Sequence, residues 1–390
     1  MIFDIITYTP MYVTVFWAIL IFSTTKASQN RAKFLLGYFM VFAFLLYLSH
    51  AVYFQHSYTI FLYFDPIYSF TSLSVYPLYF WYIKLLTVEH QFKNRNLLMF
   101  LPAVLVSIST VIVYVVMGKR ESENFILYFY YNKSVTIGET VDIQKVIFYI
   151  ARFIFTIQII YFLAKGIRLV KKYNKRIENF YSDTENKSIV WVKLLLISFV
   201  VTSLMSIVFN FLGKSSFIES AFILSIPSVI FSTLLFFIGF QGFLQTYTVN
   251  DLMIDETKTA PSQRTSYKQV ARDNLKIQLL DLFNQEEIFT KNDLKITFVA
   301  EKLNTNRTYL SNLINDEFKY TFSDFVGRFR VKKAKQILGQ DQQFSFSIDD
   351  VAEQVGFGST NSFIRMFKKI EGITPGGYRS RELKNRDQNE

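Results

Sequence analysis

Seven stretches of this chain are too long and too apolar to be the interior of a water-soluble domain. They run at about 5–22, 34–54, 60–84, 97–117, 143–164, 189–212 and 217–240. At 1.5 Å of rise per residue, about 20 apolar residues reach across the hydrocarbon core of a bilayer. A backbone in lipid must satisfy its own N–H and C=O groups, which a helix does. The expectation for residues 1–245 is therefore an all-α, seven-helix transmembrane bundle. The opening MIFDIITYTP has no basic start and exits into an ordinary polar loop, STTKASQN, so the first run reads as a span and not as a cleaved leader.

Orientation follows from the basic residues of the loops. Loops after spans 1, 3 and 5 hold 13 Lys and Arg, seven of them between Lys165 and Lys187, whereas the alternate side holds four. That bias puts the N-terminus outside and the region after span 7 in the cytoplasm, as a multi-pass protein of a bacterial inner membrane. Of the net charge of +11, +9 lies in residues 1–246 and only +2 in the remainder, so the basic balance is not by itself a nucleic-acid signature.

Chemistry is bounded by what is missing. With no cysteine, thiolate nucleophiles, disulfides and Cys-based metal sites are excluded. Of three histidines, His50, His56 and His90, the first two are six apart and do not share a helical face, no P-loop lysine motif is present, and Gly356-Phe-Gly358 lacks the third glycine of a dinucleotide fingerprint. No enzyme activity and no cofactor are expected. Inside the spans, Asp65 and Arg152 stand out, because an ionised group at a helix centre costs about 2.5–3.5 kcal/mol on insertion scales. With Gln158, Asn210 and Glu219 they are candidates to line an outward-facing sensing pocket; the alternative is a structural ion pair. Pro77 and Pro227 are candidate kinks, and residues 118–142 read as a lid, a small hairpin or a solvated connector.

From 246 to 266 the sequence turns polar and reads as a linker to a second domain, 267–390. A helix is expected over 270–283. Two segments then look alike, 296–314 and 347–370. In the first, Val299, Ala300 and Leu303 face Leu310 and Leu313; in the second, Val351, Ala352 and Val355 face Phe363 and Phe367. Small Ala300 and Ala352 suit a tight helix crossing, with Asn304 and Gly356 as the turn residues. Ser347-x-x-Asp350 is a capping signal, while Lys295 before the first pair is a poor cap. Between the two runs one helix with the stripe Phe322, Phe325, Val326, Phe329, Ala334, Ile337 and Leu338.

This arrangement resembles the DNA-binding domain of AraC/XylS-type regulators over about residues 270–380. The residues that carry it are Arg330-x-x-x-Ala334-x-x-x-Leu338, Ile348-x-x-Val351-Ala352-x-x-x-Gly356-Phe357, Phe363, Phe367-Lys368-Lys369, Gly372-x-Thr374-Pro375 and Tyr378-Arg379. Gly376-Gly377 departs from the polar residue common there. The membrane half resembles the multi-span sensor regions fused to some members. The resemblance implies two helix-turn-helix units whose second helices enter the DNA major groove. Base-reading positions are then Arg307, Thr308, Ser311, Asn312, Thr360, Asn361, Ile364 and Arg365, and phosphate contacts Lys332, Lys333, Lys368, Lys369, Arg379 and Arg381. Arg330 would be a structural ion-pair partner in the connecting helix. The function expected is a membrane-anchored one-component transcriptional regulator that responds to a signal ligand and binds double-stranded DNA. Membrane lipid and a second copy of the chain, as a homodimer, are its other partners. The alternative is a transporter or channel with an autoregulatory DNA-binding tail.

Overall fold

A computed structural model describes residues 2–26, 30–88, 94–183, 190–212, 221–244, 269–340 and 346–387. The chain divides into two units: 1–170 with 191–250, and 171–190 with 251–390. Residues 246–266, expected as a linker, lie outside the described residues.

The first unit is built from α1 (Ile2–Thr24), α2 (Arg31–Phe54), α3 (Tyr58–Thr87), α4 (Leu101–Phe129), the first part of α5 (Val141–Glu178), α6 (Val190–Leu212) and α7 (Ala221–Leu244). Asn30 caps α2 by accepting from the Lys33 amide. Helix directions are fixed by side-chain contacts. Phe22 packs on Phe34 while Gln55 donates to Asp4, so α1 and α2 are antiparallel. Phe39 meets Tyr79 and Tyr53 meets Phe61, so α2 and α3 are antiparallel too. Ser228 bonds the Ile6 carbonyl and Trp17 packs on Phe236 at 5.4 Å, so α1 and α7 run the same way. Gly239 makes that last pairing close: a Cβ there would lie 2.3 Å from the Trp17 ring.

Among the described residues, five helices are long and apolar enough to cross a membrane: α1, α2, the helical stretch Asn94–Phe129 containing α4, α5 and α7. The expected count was seven. The two expected spans outside that set correspond to the 30-residue α3, which carries six tyrosines, Asp65 and two prolines, and to α6. Helix α3 stays helical through Pro77, and α7 through Pro227. The break in α4 falls instead at Gly118, at φ +71°, a conformation that needs glycine. Beyond it the chain is helical to Phe129, and Phe125 and Ile126 are fully buried, so this stretch packs into the unit as helix.

The second unit holds α8 (Gln269–Asn284), α9 (Ile296–Lys302), α10 (Arg307–Leu313), α11 (Phe322–Gln340), α12 (Ile348–Gln354), α13 (Thr360–Glu371) and α14 (Pro375–Asp387). Helix α11 carries two cores on its stripe. Phe325 and Phe329 pack edge-on or tilted against Phe283 of α8, each with ring centroids 5.0 Å apart. Val331, Ala334 and Leu338 join Val351, Ala352, Phe363 and Phe367. The last two are completely buried, each worth about 1.5–3 kcal/mol of apolar burial. Residues 171–183, at the end of α5 and just after it, belong to this unit, with Tyr173, Ile177, Phe180 and Tyr181 buried.

Candidate nucleic-acid interface

Each pair of short helices is assembled by local chemistry. In the second, Ser347 and Asp350 form the expected capping box at the start of α12. The chain then reverses at Gly356, φ +90°, where a Cβ would sit 2.3 Å from the Thr290 carbonyl oxygen. Ser359 caps α13 by accepting from the Ser362 amide, and Gly372, φ +77°, ends it. In the first pair Asn304 makes the turn at φ +48°, and Asn306 caps α10 by accepting from the Tyr309 amide at 2.8 Å. Thr374 accepts from the Gly377 amide, and Pro375 starts α14, so the Gly376-Gly377 departure does not prevent a helix there.

The absent cap at Lys295 has a tertiary explanation. The Ile296 amide, first of α9, donates to the carbonyl of Phe180 at 3.0 Å, and the Ser182 amide donates to the Leu294 carbonyl at 2.9 Å. A neighbouring segment supplies what a Ser or Asp side chain would otherwise do. The same segment reaches α13. Asp183 accepts from the Gly358 amide at 2.9 Å and from the Ser362 hydroxyl at 3.0 Å. Phe180 to Asp183 were not anticipated as part of the reader. The aromatic pair Phe180-Tyr181 closing a basic run was the one signal for them.

Among the described residues, Arg330 is the largest fully buried side chain. Its Nε donates to the Phe289 carbonyl at 2.7 Å, and one terminal nitrogen donates to the Lys291 carbonyl and the Ser182 hydroxyl. Burial pushes its pKa down to about 10, against the pull of Asp183 and Asp293, so it stays charged at neutral pH. An ion-pair role was expected. Its hydrogen bonds tie three segments together through the Phe289 and Lys291 carbonyls and the Ser182 hydroxyl, while the carboxylates of Asp183 and Asp293 draw on its charge.

The eight expected base-reading residues all lie on α10 and α13. Thr308, Asn312, Asn361 and Arg365 are exposed. Arg307, Ser311, Thr360 and Ile364 are half-buried: Arg307 lies over the Phe180 ring at 5.7 Å, Ser311 accepts from Asn315, and the Thr360 hydroxyl bonds Asp349. Of the expected phosphate contacts, Lys332, Lys368 and Arg381 are exposed. Lys333 pairs with Glu287 at 2.6 Å and Lys369 with Asp324. Arg379 turns inward: it is 6% exposed and donates to the Phe346 carbonyl at 2.8 Å, a geometry that holds the chain before α12 and presents little to a phosphate.

The first unit holds a partly open cavity of about 910 Å³, and Arg152 lines it. Asp65 is not among its lining residues. It is buried, with one carboxylate oxygen accepting from Tyr114 at 2.7 Å and the other from Tyr130 at 2.9 Å. Gln158 is buried outside the lining. Glu219 and the side chain of Asn210 lie outside the described residues.

A family profile described as "Helix-turn-helix domain" matches residues 299–381, which contain both helix pairs apart from the first turn of α9. The chain is 35% identical over 92 residues to the uncharacterized HTH-type transcriptional regulator YtdP of Bacillus subtilis, covering 24% of this chain and 12% of that one. It is 35% identical over 83 residues to the uncharacterized HTH-type regulator YpdC of Escherichia coli, covering 21% of this chain and 28% of the relative. The probable transcription factor PqrA of Proteus vulgaris is 31% identical over 86 residues, 22% of this chain and 68% of that protein. The chain thus spans about an eighth to a quarter of the first two relatives and two thirds of the third. By this match and the geometry above, the chain belongs to the AraC-type helix-turn-helix transcriptional regulators.

Proposed function

We propose that this protein is a membrane-anchored one-component regulator, in which the first unit senses a signal and the two helix pairs of the second read duplex DNA. The observation that carries the DNA-reading part is the placement of Thr308, Asn312, Asn361 and Arg365 on exposed faces of two capped helices. Arg reads guanine and Asn reads adenine in the major groove, each at about 1–3 kcal/mol of discrimination. Lys332, Lys368 and Arg381 supply sequence-independent attraction. Membrane anchoring rests on five long apolar helices and on the outward large side chains they carry, such as Val115, Phe153 and Phe222, each more than 65% exposed. The basic loops favour an outer N-terminus and a cytoplasmic reader, and confinement to a bilayer favours a homodimer. One helix serves both halves of the reading: α5 carries Arg152 in the cavity wall and, further along, Tyr173 and Ile177 among the buried residues of the second unit.

The test is binding of genomic duplex fragments by the full-length protein in lipid nanodiscs at rising salt. Selective binding whose affinity falls steeply with salt supports the reading. A folded protein with no DNA affinity at low salt refutes it.

A further inference from the structure

Resting on the DNA reading above and extending its surface, we propose that the end of α5 is a further contact for the DNA backbone. Lys171, Lys172 and Lys175 take phosphates that flank the bases read by α10. Helix α5 runs unbroken to Glu178, and from residue 165 onward it carries six Lys and Arg against that single acidic residue. Its two faces differ sharply. Val170, Tyr173 and Ile177, spaced by three and four, are buried, while Lys171, Lys172 and Lys175 lie exposed on the opposite side. Among the described residues, none of these three lysines is in an ion pair. Lys333 and Lys369, by contrast, are held by Glu287 and Asp324.

Membrane topology explains only part of this. Orientation depends on how many basic residues follow a span and is indifferent to their helical face or pairing. Anionic headgroups attract a juxtamembrane lysine only near the surface. The apolar run of α5 ends near residue 164, so Lys165 and Arg168 stand about 2–6 Å further along the axis, within a headgroup layer about 5–8 Å deep. Lys171, Lys172 and Lys175 stand about 10–17 Å along, past that layer. They also fall in the part of α5 that belongs to the second unit.

Those three lysines stand on a rod fixed to the reader. Phe180 follows Lys175 by five residues. Its carbonyl accepts from the Ile296 amide at 3.0 Å, and its ring lies under the guanidinium of Arg307, the first residue of α10, at 5.7 Å. The Ser182 amide and hydroxyl then bond the Leu294 carbonyl and Arg330. The lysines thus flank the N-terminal end of a base-reading helix, the end that meets base edges in a helix-turn-helix unit. They span about 6 Å of helix axis, and duplex DNA carries one phosphate charge per about 1.7 Å, so each has an anion to meet. Such contacts add affinity and fix register without reading sequence.

The test is fluorescence anisotropy of a labelled generic duplex of about 40 base pairs, roughly four helical turns, with the full-length protein in phosphatidylcholine nanodiscs. Each phosphate contact contributes about 0.9 to the salt slope. Between about 50 and 200 mM salt the unmodified protein should therefore lose about 40-fold more affinity than the triple variant Lys171→Gln, Lys172→Gln, Lys175→Gln. The triple arginine variant at the same positions should keep the original slope. Since the chain has no cysteine, Lys172→Cys carrying a thiol-linked iron chelate gives a readout independent of affinity. Cuts in the bound duplex support the surface, and a bound but uncut duplex overturns it. Equal salt slopes for the unmodified protein and the glutamine variant also overturn it. So does a difference that appears only with phosphatidylglycerol in the nanodisc, which would assign the lysines to the bilayer. An unmodified protein that binds no duplex at low salt refutes the DNA reading itself, a result distinct from equal slopes.

Discussion

Replacing Gly356 by alanine tests how the second helix pair is held to the rest of the unit. Two penalties add. The backbone sits at φ +90°, where an L side chain costs about 1–2 kcal/mol. The new Cβ would also lie 2.3 Å from the Thr290 oxygen, 2.6 Å from its carbonyl carbon and 2.9 Å from the Phe289 oxygen, all backbone. Relief requires a shift on the order of 1 Å in a segment that Arg330 grips through the carbonyls of Phe289 and Lys291. Overpacking of that kind costs about 1–3 kcal/mol. The sum is about 2–5 kcal/mol. Gly372 provides the control, since its φ is +77° but a Cβ there meets nothing within 4 Å, so Gly372→Ala carries only the backbone part, about 1–2 kcal/mol. Amide hydrogen exchange on the full-length protein reads both. For Gly356→Ala, amides of α12 and α13 should exchange about 30-fold to several thousandfold faster, with those of α1 to α4 unchanged. If the two variants exchange alike, the steric argument at Thr290 is wrong.

Arg330→Met strips the donors from the Phe289 and Lys291 carbonyls and the Ser182 hydroxyl, and should cost about 3–5 kcal/mol, read as loss of the second unit's thermal transition before that of the first. A fragment beginning at 266 lacks Phe180 to Asp183 and so exposes α9's first amide; it should melt lower than the same unit in the whole chain, and peptide 171–183 added in trans should raise its Tm, whereas no effect would show that the segment is dispensable. Ser347 hydrogen bonds hold the Asp350 carboxyl below its usual range, so its stabilisation is present above the unfolded pKa and is lost as pH falls through the folded one; Asp350→Asn should flatten that acid limb in hydrogen exchange at α12. Arg365→Ala should relax base preference at one position by about 1–3 kcal/mol, while Lys368→Ala should weaken all sequences alike and lower the salt slope by about one, a contrast that competition binding resolves.

Local chemistry made much of this molecule legible in advance. The capping box at Ser347, the left-handed turns at Asn304 and Gly356, and the stripe along α11 all depend on residues within a few positions of each other, which sequence spacing reports directly. Tyrosine was harder to read. It is apolar in body and polar at the tip, so α3 looked like one more oily span, while in the fold Tyr114 and Tyr130 answer its buried Asp65.

By itself, then, the sequence determined an all-helical chain, apolar in front, with a DNA-reading pattern behind, because helix periodicity, caps and turns are short-range properties. Only the tertiary structure decided what the distant residues do. Ser182 accepts from Ser323 across 141 positions and Asp183 meets Gly358 across 175, separations at which periodicity carries no information. For the same reason the packing alone turned Arg379 inward, satisfied the uncapped Lys295 helix from outside, and put Arg152 in the wall of a cavity.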